Sequence, residues 1–127
     1  MRFLIDTHTF LWFILDSNEL SDLALSLLES DADLWISSGS LWEIAIKVSV
    51  KKLTLPQPFD IFITNQLKIN EIEILYPKIE HLNTLSQLPL YHRDPFDRLI
   101  IAQAMVENVA IISKDSLFDL YEVQLLW

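Results

Sequence analysis

Four short apolar runs, Arg2–Ile5, Leu34–Ser37, Ile72–Leu75 and Val109–Ser113, punctuate the sequence, and between them apolar residues recur at helical spacing. Runs of four or five residues bounded by polar clusters suit buried strands. Their alternation with helical segments predicts an α/β fold, a three-layer sandwich with a central, mostly parallel sheet flanked by helices. A last run, Val123 to Leu126, predicts a strand that closes the sheet. With 127 residues the chain has mass for one sizeable core, so residues 1–127 are expected to form a single domain. Helices are expected from Phe10 to Leu15, from Ser21-Asp22 onward, over Leu41–Val48, from Phe59 to near Asn70, from Ile79 to Leu88, and after Asp94.

Acids stand where these runs end. Asp6 directly follows the first run, and Asp115 follows Val109–Ser113 in the same manner. Ligands of open parallel sheets bind at the carboxyl ends of strands, so both acids are placed for chemistry. Each also suits a cap for the turn or helix that follows. Glu43 lies among Trp42, Ile44, Ala45 and Ile46, and a partly buried acid needs a partner. Lys47, four residues on, offers an ion pair; a metal ion is the alternative. In His92-Arg93-Asp94-Pro95-Phe96-Asp97-Arg98, Asp94 before Pro95 predicts an N-cap and a first helical residue. Asp97 then falls in the first turn, where the helix dipole favours an anion; it either completes the cap or ligates a cation. His8, a lone histidine near a helix start, is read as a hydrogen-bonded structural residue and stays outside the metal set.

A formal charge of −9 does not attract a polyanion. Clustered carboxylates that bind divalent cations invert the sign that a phosphate meets locally. Asp6, Glu43, Asp97 and Asp115 can meet at one end of the sheet, where they would bind protons or cations. Oxygen ligands in a chain without cysteine point to Mg²⁺ or Mn²⁺ rather than Zn²⁺. Two such ions ~4 Å apart suit phosphodiester hydrolysis without a protein nucleophile. Arg93, Arg98 and Lys114 flank the acids and are candidates for phosphate contacts, or else pair with their acidic neighbours.

These pieces resemble the PIN-domain ribonucleases, and within them the toxins of bacterial VapBC toxin–antitoxin pairs. The matching residues are Asp6-Thr7-His8 with Leu11-Trp12, Ser37-Ser38 and Ser40 with Trp42–Lys47, His92–Leu99 with Ile101–Ala104, and Ser113-Lys114-Asp115. Four motifs in family order cover nearly the whole chain. The resemblance implies that Asp6, Glu43, Asp97 and Asp115 form an acidic Mg²⁺/Mn²⁺ site and that the reaction is endonucleolytic cleavage of RNA. It also implies a homodimer and a cognate antitoxin, which would cover the apolar surface expected around Phe10 to Leu15.

No uncharged stretch approaches the ~18 residues that span a bilayer, and Asp6 interrupts the N-terminal apolar residues before a signal peptide can form, so a cytoplasmic protein is expected. Two other readings compete. A receiver-like signalling domain shares the size, the sheet and the acids, but no phosphoacceptor follows Ile72–Leu75. A non-catalytic interaction module would use its acids as caps and ion pairs, which leaves Glu43 poorly explained.

Overall fold

The computed structural model describes residues 1–127. In chain order the elements are β1 (Arg2–Ile5), α1 (Thr7–Ile14), α2 (Asp22–Leu28), β2 (Asp33–Ser37), α3 (Ser38–Ser49), α4 (Phe59–Ile69) and β3 (Ile72–Leu75). They continue with α5 (Ile79–Ser86), α6 (Pro95–Glu107), β4 (Ala110–Ile112), a 3-10 helix (Ser116–Leu120) and β5 (Leu125–Leu126). The sheet order is β3-β2-β1-β4-β5, and all four pairings are parallel. This order differs from the 2-1-3-4-5 arrangement of receiver-like folds.

Alternation along the strands builds the two faces. Phe3 and Ile5 of β1, with Ala110 and Ile112 of β4, enter one core together with Phe10, Leu11 and Ile14 of α1, Ile44 of α3 and Phe62 of α4. Leu4 and Ile111 point the other way, into a second core with Ile100, Ile101 and Ala104 of α6 and Phe118 of the 3-10 helix. The sheet is therefore covered on both sides, as a three-layer sandwich requires.

The expected parallel sheet is present, with every pairing parallel. Two expectations need adjustment. The last strand is confined to Leu125–Leu126, because the Val123 amide turns inward to donate to Tyr121 O at 2.8 Å. The residues expected to separate strands from helices are instead first helical turns. Asp6 accepts the Thr9 amide, so α1 begins at Thr7, and Ser37 Oγ accepts the Gly39 amide, so α3 begins at Ser38. β1 and β2 thus pass into their helices with no loop, which fixes where Asp6 and Glu43 point.

Helix α1 is apolar nearly all round, and the structure accounts for much of that. Phe10, Leu11 and Ile14 are buried, and the Trp12 ring lies 5.9 Å from that of Trp127, while Leu15 stays exposed. On the other side of the site, Gly39 allows α3 to approach α6, since a methyl group there would stand 3.0 Å from Leu99 Cδ2. Phe10 is fully buried in the core that carries α1. Phe10→Ala is expected to cost ~3–5 kcal/mol, read as a lower urea midpoint with an unchanged slope.

Candidate active site

The site forms at the carboxyl edge of the parallel sheet. Asp6 is the N-cap of α1 and is 4% exposed. Its Oδ1 accepts the Thr9 amide at 2.9 Å, and its Oδ2 accepts the Ser113 hydroxyl at 2.6 Å. Burial raises its pKa, while these hydrogen bonds and the nearby His8 oppose the rise. Ser113 Oγ also accepts the Asp115 amide at 3.0 Å, so one hydroxyl joins the ends of β1 and β4. Asp115 caps the 3-10 helix, its Oδ1 accepting the Leu117 amide at 3.0 Å.

Glu43 projects from α3. Lys47 Nζ lies 3.3 Å from its Oε2, so the expected ion pair forms. The pair leaves Oε1 buried with no hydrogen-bond partner. A buried carboxylate oxygen without a donor is costly, and Lys47 does not relieve it. Thr7 Oγ1 donates to Ser40 Oγ at 2.9 Å, which ties the start of α1 to the turn of α3 before Glu43.

Asp94 caps α6, its Oδ1 accepting the amides of Phe96 and Asp97 at 2.9 and 3.0 Å. Capping therefore falls to Asp94 and leaves the Asp97 carboxylate to face the cluster. Its pKa is pushed up to about 8, first by burial and then by the charges of Asp94, Asp6, Glu43 and Asp115. The other three acids singled out from the sequence thus lie close enough in the fold to act on Asp97.

Position His92 was not among the expected site residues. The structure places its Nε2 3.1 Å from Asp97 Oδ2 and 2.9 Å from Asp115 Oδ2. The three residues bring potential ligand atoms within 4.8 Å of one another. Its sequence signal is a histidine two residues before an Asp-Pro cap, where the ring can accept the amide of the cap residue; Asp94 N–H does donate to Nδ1, at 3.3 Å.

Of the three flanking cations, Arg98 is engaged elsewhere. Its guanidinium donates to the carbonyls of Leu85, Leu88, Pro89 and His92 at 3.0–3.4 Å, so the expected phosphate contact gives way to a fastening of the loop before α6. Lys114 makes a loose surface pair with Glu19, 3.5 Å away, and Arg93 makes no ion pair. A cavity of about 280 Å³ lined by Asp6, His8, Trp12, Lys114 and Asp115 opens beside the acids. A larger hollow of about 550 Å³, near Met1, Arg2 and Val109, lies away from them and is mostly apolar.

The PIN-domain family model matches residues 3–123. The chain belongs to the PIN-domain family, a family of nucleases. Its fold is shared by VapBC2 from Rickettsia felis bound to a promoter DNA fragment (TM-score 0.73, 20% identity, 99% of this chain and 98% of that chain). VapBC-1 from nontypeable Haemophilus influenzae is similar too (TM-score 0.70, 17% identity, 99% and 97% coverage). So is a toxin–antitoxin complex from Klebsiella pneumoniae (TM-score 0.66, 15% identity, 98% and 95% coverage). No curated protein matches the sequence.

Two outcomes follow from the geometry. Folded Asp97 holds a proton up to about pH 8, whereas the unfolded carboxyl loses it near 3.8. The stabilisation by that proton is complete below pH ~4 and is lost as pH rises through 8. The melting temperature of the metal-free protein should therefore fall across this window, and Asp97→Asn should flatten the fall. Arg98→Ala should cost ~2–3 kcal/mol by urea unfolding, since four carbonyls lose a charged donor; an Arg whose role was to meet phosphate would leave stability unchanged.

Proposed function

We propose that this PIN domain is a divalent-metal-dependent endoribonuclease, hydrolysing RNA phosphodiester bonds as the toxin of a toxin–antitoxin pair. The observation that carries the reading is Glu43 Oε1, buried and unpartnered beside an Asp97 that burial first, and then four other carboxylates, keep protonated up to about pH 8. Caps and ion pairs account for Asp6, Asp94 and Asp115, but a non-catalytic module has no use for an orphaned oxygen inside an acidic cluster. A hard cation satisfies it, and the all-oxygen donor set of Asp6, Glu43, Asp97 and Asp115 fits Mg²⁺ or Mn²⁺.

These four residues would hold the metal, which when bound supplies an activated water and neutralises charge on the scissile phosphate. The rest is the work of the chain. Asp97 must give up its proton for its carboxylate to serve as a ligand, so occupancy of the site increases toward pH 8. Ser113 holds Asp6 and the Asp115 backbone in register. Arg93 and Lys114, at the rim, meet the RNA backbone and offset locally the −9 charge of the chain. No side-chain nucleophile is needed.

An antitoxin partner is supported by the fold shared with VapBC complexes and with a toxin–antitoxin complex. Exposed apolar side chains such as Leu15, Trp42, Val50 and Ile79 leave surface for that partner and for a second copy of the chain in a homodimer. No helix is long and apolar enough to cross a membrane, which suits the cytoplasmic site of action proposed for such a toxin. The test compares the protein with Asp97→Asn on a mixed RNA pool, with Mn²⁺, with Mg²⁺ and with chelator. Cleavage by the parent alone, at least ~100-fold above the variant and abolished by chelator, is expected because changes one shell further out already cost 10–100-fold. Metal-independent cutting, or equal rates for both proteins, would rule the reading out.

A further inference from the structure

His92 occupies the gap between two carboxylates that the acidic site requires, and every polar group it carries is engaged. Its backbone N–H donates to the Tyr121 hydroxyl at 2.8 Å, and that hydroxyl donates to Pro89 O at 2.6 Å. Its carbonyl accepts from Arg98 at 3.3 Å. Its ring lies 5.6 Å from that of Phe118 and is almost wholly buried. The ring is thus held by the loop, by the 3-10 helix region and by α6 before any ligand is considered.

The ring nitrogens have distinct roles. Nδ1 accepts the Asp94 amide, so the ring hydrogen is on Nε2. Nε2–H then donates to Asp115 Oδ2 at 2.9 Å, with Asp97 Oδ2 3.1 Å from the same nitrogen but off the line of the hydrogen bond. A nitrogen carrying a hydrogen offers no lone pair to a cation. A donor in this place does something else: it fixes the Asp115 carboxylate of the 3-10 helix N-cap directly beside the Asp97 carboxyl of α6.

We propose that His92 is a positioning residue, whose Nε2–H anchors the Asp115 carboxylate beside Asp97 in the geometry that receives the metal, without ligating it. This rests on the metal-dependent reading of the site. The same ring arrangement occurs away from the site. Buried His81 accepts the Lys78 amide on Nδ1 at 3.0 Å and places Nε2 2.8 Å from Glu107 Oε2, joining α5 to α6. His81 therefore serves as a comparator in which a structural role is not coupled to the acids.

The experiment measures Mn²⁺ affinity by calorimetry, thermal stability, and electron spin-echo modulation from nitrogen near bound Mn²⁺. It uses the full chain and its His92→Leu, His92→Gln and His81→Leu variants. His92→Leu should weaken Mn²⁺ binding 10–100-fold, the range for residues that orient metal ligands. His92→Gln, which keeps an N–H near the position of Nε2, should recover most of that loss. His81→Leu should lower the melting temperature and leave Mn²⁺ affinity unchanged. Parental affinity in His92→Leu would overturn the proposal, as would a directly coordinated nitrogen that vanishes in the His92 variants. If the parent protein itself binds no Mn²⁺, the metal-dependent reading falls, and this proposal with it; parental binding that His92 variants leave intact refutes the positioning role alone.

Discussion

Repulsion between carboxylates at one edge of a parallel sheet is the constraint around which this fold is arranged. Parallel pairing sends every strand the same way, so the residues after β1 and β4 arrive together, and α3 and α6 bring Glu43 and Asp97 to the same edge. Left alone, such a cluster pushes apart the elements that carry it. The chain answers with neutral donors placed where charge accumulates. The Thr9 amide and the Ser113 hydroxyl meet Asp6, the amides of Phe96 and Asp97 meet Asp94, and the Leu117 amide meets Asp115.

The distribution of those donors is uneven, and the unevenness has meaning. Asp94 takes two amides on one oxygen in starting α6, whereas Glu43 has one oxygen on Lys47 and the other buried without a donor. Asp97 combines burial with four neighbouring charges. A fold selected only for stability would replace one of these groups with an apolar side chain of similar size. That they persist in a well-packed sandwich is what one expects when an external cation completes the set.

Much of the architecture was legible because short apolar runs and helical periodicity do not compete in this sequence. The unbroken apolar run Phe3-Leu4-Ile5 marks a strand buried on two faces, and Asp94-Pro95 marks the start of α6. The boundaries were harder. Thr7-His8-Thr9 and Ser38-Gly39-Ser40 look like loop composition, yet a single capping oxygen from the residue before each converts them into helix. At the site, acids are visible because an apolar context makes a carboxylate conspicuous. His92 and the true employment of Arg98 were not, since both depend on which backbone groups a loop leaves unpaired, and that is set by tertiary contacts between α5, α6 and Tyr121.

Arg98 shows how such a contact reaches beyond the loop it fastens. A guanidinium that serves four carbonyls is removed from the pool of mobile cations, leaving Arg93 and Lys114 as the basic side chains at the rim. An RNA strand contacting two such cations would displace few condensed counterions, so its affinity would fall with salt with a logarithmic slope of only about −1.4. Recognition of such a strand would then come from its shape and its bases rather than from its charge. If RNA is the substrate proposed above, the acidic composition of the chain is in this sense a filter: it would discourage indiscriminate adsorption of nucleic acid and favour the strand that fits.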